Sequence, residues 1–268
     1  MTADAETENP PIQTTAESEP EPPQLRRPIC SKCSRPTRVC LCETLPAQPI
    51  PTKTQIVIIQ HPHEARHKLS TVPVLTKCLL NSTTVVTRRL RPGLSPLLDQ
   101  SPPAVYLFPP TPSSPAVTLS PSQPQNDKDD ENAVLIVFDA TWKHAREMVR
   151  ASEEYLSRFA SRVCLEGYDE SVGGGSIYDS DSELILRKEP CGGCVSTMEA
   201  VARALRVIEP NGLYIEAQLL RVLRDMVRLQ ARYLTRPIKP RPKLEKKKKA
   251  MQIEEKESES EELLDFKS

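Results

Sequence analysis

The sequence predicts an α/β fold in which a mainly parallel sheet carries helices on both faces. Three observations support this. Short, apolar, β-branched runs alternate with segments of helical periodicity. Several of the runs are continuously apolar, as strands covered on both sides must be. Two polar segments, 61–68 and 139–143, follow directly on such strands, at the carboxyl ends where parallel sheets place their ligands.

The elements follow in order. Residues 54–60 (TQIVIIQ) read as a buried strand and 61–68 (HPHEARHK) as a polar loop. Residues 73–80 read as a helix, 83–87 as a strand and 104–108 as another short strand. Residues 109–132 hold Pro, Ser and charge without periodicity and are expected to be a disordered, dispensable insertion. Residues 133–138 are the strongest strand, and 141–159 read as a helix with a candidate break at Ser152. Strands are expected at 162–165 and 183–186, and amphipathic helices at 196–208 and 213–234.

Composition sets the boundaries. The chain has 268 residues, of which 27 are Pro and only 8 Gly. The Pro excess gathers before Cys30, between Ser101 and Pro124, and after Arg236. Residues 1–28 therefore read as a disordered acidic tail and 236–268 as a disordered charged tail. They flank one ordered domain over 29–235, with a cysteine knuckle at 29–45. No apolar run approaches a membrane span. The first 29 residues hold six acids and no apolar signal core, which points to the cytoplasm or nucleus.

Lys plus Arg and Asp plus Glu both number 36, so the net charge is zero. The distribution is uneven. Residues 30–108 hold ten bases and three acids, whereas 109–235 hold fourteen and nineteen. A basic block of that size suits phosphate, and a solubilising surface is the alternative. Lys32, Arg35 and Arg38 lie between the cysteines and are candidate nucleic-acid contacts.

The cysteines are the sharpest signal. Cys30, Cys33, Cys40 and Cys42 form a C-x2-C-x6-C-x-C array, matching a closed, structural zinc site of four thiolates. Cys191 and Cys194 make a second C-x2-C, for which a local disulfide and chance spacing are both adequate readings. Ser196-Thr-Met-Glu199 has capping-box spacing, and a helix start can also take an anion. Asp139 ends the strongest strand, three residues before the chain's single Trp, Trp142. Its carboxylate is a candidate general base and the indole a stacking surface; a helix-start Asp and a packed Trp serve equally well. The four His residues are assigned ordinary surface or hydrogen-bonding roles ahead of metal ligation.

Taken in order, these motifs resemble one family. They are the cysteine array, Gln60-His-Pro-x-Glu64, Asp139-x-Thr-Trp142, Leu186-Arg-Lys-Glu-Pro190 and Ser196-Thr-x-Glu-Ala200. The pattern is similar to that of the DTW-domain proteins, which are tRNA-uridine aminocarboxypropyltransferases, and it covers about residues 28–235. Position 140 is Ala where relatives commonly carry Gly. The resemblance implies a SPOUT-related sheet with a C-terminal knot. It implies tRNA as partner, S-adenosylmethionine as co-substrate and a structural zinc. The 3-amino-3-carboxypropyl group would pass to N3 of uridine, giving acp3U and 5′-methylthioadenosine.

On this reading Asp139, Thr141 and Trp142 are the catalytic candidates. Arg187, Ser196, Thr197 and Glu199 are the cofactor-binding candidates, with Lys188 an alternative to Arg187 for a carboxylate or phosphate. His61, Glu64 and Arg66 are the candidates for binding RNA substrate. Uridine N3–H is a weakly acidic imide, and an ordinary Asp near pKa 3.9 is a feeble base for it. Two rivals remain: an S-adenosylmethionine methyltransferase of related fold, and a zinc-dependent RNA-binding module without catalysis.

Overall fold

The computed structural model describes residues 28–111, 113–120, 133–165, 168–169, 175–176 and 195–233. Six strands form one all-parallel sheet: β1 (Gln55–Gln60), β2 (Ser82–Val86), β3 (Ala104–Leu107), β4 (Val117–Leu119), β5 (Val134–Asp139) and β6 (Ala160–Leu165). Their spatial order is β2-β1-β5-β3-β6-β4. The two most apolar strands, β1 and β5, therefore lie side by side in the interior. Their register places Gln60 directly against Asp139. A two-stranded antiparallel ribbon, β7 (Tyr168–Asp169) with β8 (Gly175–Ser176), stands apart from this sheet.

Side chains alternate between the two faces of a strand, so each continuous run fills two cores. Ile56, Ile58, Leu135 and Val137 pack against α2 (Val72–Cys78), α5 (Thr197–Ile208) and α6 (Gly212–Ala231). Val57, Ile59, Val134, Ile136 and Phe138 pack on the other face. There they meet α4 (Trp142–Leu156) and Leu98 of α3 (Pro96–Asp99). Helices cover both faces, as the apolar strands require.

Local contacts hold the frame. Glu209, between α5 and α6, accepts the backbone N–H groups of Lys53 (3.1 Å) and Thr54 (2.8 Å), satisfying the entry to β1. α6 begins at Gly212, where a Cβ would collide with the carbonyl oxygens of Leu205 and Arg206, so only glycine lets the helices meet there. Arg162 is buried on β6. It donates to the Tyr106 hydroxyl (2.9 Å) and to the carbonyls of Pro109 and Ser114 (both 3.3 Å).

Three expectations need correction. The segment expected to be a wholly disordered insertion contributes the edge strand β4, paired in parallel with β6. Its three residues, Val-Thr-Leu, are strand formers, but they sit among prolines and are too short for a period to show. Residues 121–132 lie outside the described part. Within the loop at 61–68, residues Pro62–Ala65 form one helical turn, α1, capped by the His61 side chain. At Ser152 the helix α4 runs on unbroken: the hydroxyl donates to Met148 O (2.6 Å) and accepts from Leu90 N (2.9 Å). The expected strand at 183–186, most of 166–194 and nearly all of both tails lie outside the described residues.

Candidate active site and zinc knuckle

The site forms where β1 and β5 end together. Asp139 is 5% exposed at the carboxyl end of β5. Its Oδ2 accepts from Gln60 Nε2 at 2.9 Å, and its Oδ1 from the Thr197 hydroxyl at 2.5 Å. The Gln60 amide also reaches Ser70 Oγ at 3.2 Å, and His61 N donates to the Asp139 carbonyl at 2.9 Å. Two segments distant in sequence, the end of β1 and the first turn of α5, therefore converge on one carboxylate, and the approach to α2 is tied to it through the Gln60 amide. Donors aimed at both oxygens fix the plane of the carboxylate.

The catalytic candidates next to Asp139 take distinct places. Thr141 caps α4, its hydroxyl accepting from His144 N. Trp142 is half-buried with its ring 6.2 Å from that of Phe108, leaving part of the indole accessible. Ser196 caps α5, accepting from Glu199 N at 3.3 Å. Glu199 is 1% exposed and paired with Arg203 at 2.8 Å. Thr197, by contrast, faces Asp139. Arg187, Lys188, Cys191 and Cys194 lie outside the described residues.

The substrate-binding candidates divide likewise. His61 is buried, Glu64 is buried on α1 and Arg66 is exposed. The structure also assembles a group that periodicity does not reveal. His61 stacks on His144 with ring centres 4.2 Å apart and planes 9° apart, and His63 meets both edge-on. Their nitrogens lie within 4.8 Å of one another. Parallel rings aim their lone pairs side by side rather than at one point, which suits a stack better than a chelate. His61 Nδ1 accepts from His63 N at 3.2 Å, which leaves the proton of the neutral ring on Nε2. Burial lowers the His61 pKa, and neighbouring His144, His63 and Arg88 lower it further, while Glu64 acts in the opposite sense. Gln60, Ser70, His63 and His144 are the site residues that sequence reading left without a role. A buried Gln ending one apolar strand while an Asp ends another was the available signal.

The knuckle fits a metal. Cys30 and Cys42 Sγ are 3.5 Å apart, Cys33 and Cys40 Sγ 3.6 Å, and all four sulfurs lie within 4.8 Å. A tetrahedral zinc with Zn–S of about 2.3 Å needs sulfurs about 3.8 Å apart. Backbone N–H groups of Cys33 first, then the Cys42 side chain, hold Cys30 down at about 6, whereas Cys40 and Cys30 push Cys42 up to about 12. Adjacent thiols of this kind ionise together only around a cation. Arg35, expected to face nucleic acid, turns inward instead. Its Nε donates to Val39 O at 3.1 Å, burial lowers its pKa, and Cys33 and Cys40 raise it. The guanidinium is thus half-buried and tied to the knuckle's own backbone.

Comparison with known proteins gives the site its context. The family model described as the DTW domain matches residues 27–231. The chain is 56% identical over 235 residues to "tRNA-uridine aminocarboxypropyltransferase A" of Arabidopsis thaliana, covering 83% of this chain and 88% of that one. It is 32% identical over 259 residues to "tRNA-uridine aminocarboxypropyltransferase 2" of Macaca fascicularis, covering 87% and 78%. A Drosophila melanogaster protein with the same name is 32% identical over 194 residues, covering 70% and 69%. No solved structure matches. With the domain match enclosing the knuckle, Asp139 and the start of α5, this chain belongs to the DTW-domain family.

Proposed function

We propose that the protein is a tRNA-uridine aminocarboxypropyltransferase that forms acp3U at N3 of a tRNA uridine. The observation that carries this reading is the 56% identity to the plant enzyme of that name, over most of both chains. S-adenosylmethionine would supply an electrophilic carbon beside a sulfonium, with methylthioadenosine as the leaving group. The residues at the end of the sheet fit such a donor. The 12-residue helix α5 opens on Ser196 and Thr197, suited to the methionine carboxylate. Trp142 offers a flat face for a purine or pyrimidine ring.

The protein's own task is positioning and proton removal. Asp139 takes the imide proton of uridine N3. Gln60 and Thr197 hold its two oxygens in place while that proton arrives. Burial under α5 keeps bulk water from competing for the carboxylate. The adjoining imidazole stack puts the His61 Nε2–H donor at the same end of the sheet, suited to a uracil carbonyl.

The test is mass spectrometry of tRNA nucleosides after incubating purified protein with S-adenosylmethionine. Acp3U with methylthioadenosine supports the reading. A methylated uridine with S-adenosylhomocysteine favours a methyltransferase, and unmodified tRNA that remains bound favours a pure binding module.

A further inference from the structure

We infer that tRNA docks along α2, its phosphates running from the cysteine knuckle to the site at Asp139. This rests on the tRNA substrate proposed above. The two ends of α2 carry the first observation. At its C-terminal end, Lys77 Nζ donates to the Lys32 carbonyl of the knuckle at 3.1 Å. At its N-terminal end, Ser70 shares the Gln60 amide with Asp139. Seven helical residues span about 10 Å, so α2 bridges knuckle and site as a short rigid strut.

The knuckle is also held in place. Leu41 is buried in the core shared with α6, Arg221 donates to Thr44 O at 3.4 Å, and the Tyr233 hydroxyl to Arg38 O at 3.5 Å. A charge on the knuckle therefore keeps a fixed distance from Asp139.

Charge pairing supplies the second observation. Lys32 and Arg38 on the knuckle, Arg66 and Lys68 before α2, and Lys77 at its end have no ion pair among the described residues. On α5 and α6, Arg203, Arg206 and Arg228 are each matched to a carboxylate. Residues 28–79 contain seven Lys and Arg against two acids, and one of those acids, Glu64, is buried. Unmatched cations on the knuckle and at both ends of α2, with the Asp139 carboxylate reached through Ser70 and Gln60 at one of them, suit a polyphosphate backbone whose nucleotide enters that end. Arg35 is left out of this set, because its Nε donates to Val39 O within the knuckle.

The test uses the full chain and unmodified tRNA. The pair Lys32→Glu with Arg38→Glu should raise the tRNA dissociation constant at least about tenfold. It should flatten the plot of log affinity against log salt by about 1.4 to 1.8, at 0.7 to 0.9 per lost contact. Arg66→Glu with Lys68→Glu, at the other end and outside the knuckle, should do the same. Zinc content and S-adenosylmethionine binding should stay at the wild-type level. Arg150→Glu, on α4 across the sheet, should leave tRNA affinity unchanged. Wild-type affinity and slope in both pairs would overturn the docking. So would a loss of binding on truncation after Arg236 while the pairs bind normally, which would make the Lys246–Lys249 tail the RNA arm. If wild-type protein binds tRNA through these residues yet forms no acp3U, the docking stands and the enzymatic reading fails.

Discussion

The Thr197 hydroxyl donates to Asp139 Oδ1 at 2.5 Å, joining the first turn of α5 to the end of β5. The contact connects the Asp139 and Ser196 motifs, 58 residues apart. It also separates two roles for Asp139. Asp139→Asn keeps the shape but replaces one acceptor oxygen with an amide, removing the proposed base. Transfer should fall by about 10²- to 10⁴-fold, with tRNA affinity nearly intact. Thr197→Val removes one hydrogen bond to a charged group, at about 1.5–3 kcal/mol of stability, and should leave measurable turnover. Single-turnover assays beside urea melts separate the two. An Asn variant that turns over normally but melts early would make Asp139 a staple rather than a base.

A second prediction concerns pH. Burial disfavours the charged form of His61, and stacked His144 and nearby His63 and Arg88 add to this against Glu64. The folded chain then keeps His61 neutral at pH values where the unfolded chain, near 6.5, has taken up a proton. Its contribution to stability is full above about pH 6.5 and is lost as pH falls towards the lower folded value. Wild-type protein should melt at less urea at about pH 5.5 than at about pH 7.5. His61→Asn keeps a cap for His63 N and should show a smaller drop. Equal drops in the two proteins would assign the titration to another group.

Much of this was legible in the sequence, and the rest was hidden for physical reasons. Strands β1 and β5 declared themselves because both their faces are buried, which demands unbroken apolar runs. The cysteine array and the Ser196 cap are local spacings, readable without a fold. The pairing of Gln60 with Asp139 depends on register between strands 79 residues apart, which no local pattern encodes. The imidazole group depends on α1 and α4 starting side by side, so His144 looked like an ordinary helical residue. β4 is three residues long and takes its order from β6, and Arg35 could only be told from Lys32 and Arg38 by where its side chain turns.

The knuckle predicts one zinc per chain. Cys30→Ser with Cys33→Ser should remove it, as read by elemental analysis. Far-UV dichroism should barely change, because the four-cysteine segment contributes only the 3-10 turn Thr37–Val39. Arg35→Leu tests the inward guanidinium separately. Without that charge beside Cys33 and Cys40, zinc affinity should fall by about 10- to 100-fold in a chelator competition. Unchanged affinity would return Arg35 to the surface.

The last prediction divides the Pro-rich segment in two. Deleting residues 121–132 with a 12-residue Gly/Ser linker in their place should leave melting temperature and transfer rate close to wild type, since β4 and β6 both lie outside the replaced stretch and the linker still crosses from the end of β4 to the start of β5. Deleting 109–132, with the same 12-residue linker joining β3 to β5, takes away much more. It strips β4 from the edge of β6 and deletes both carbonyls, of Pro109 and Ser114, that receive Arg162 Nη1. A buried guanidinium left with the Tyr106 hydroxyl and the Glu153 carboxylate, 3.8 Å away, is under-satisfied. At about 1.5–3 kcal/mol for each hydrogen bond to a charged group, the larger deletion should cost several kcal/mol. Adding Arg162→Leu to the larger deletion should recover part of that loss, because an apolar side chain needs no acceptors. The same change in the full chain should destabilise it, leaving the Tyr106 hydroxyl without its donor. Urea melts of the four proteins decide the matter. If both deletions melt alike, the edge strand contributes nothing to the sheet and the whole segment is dispensable.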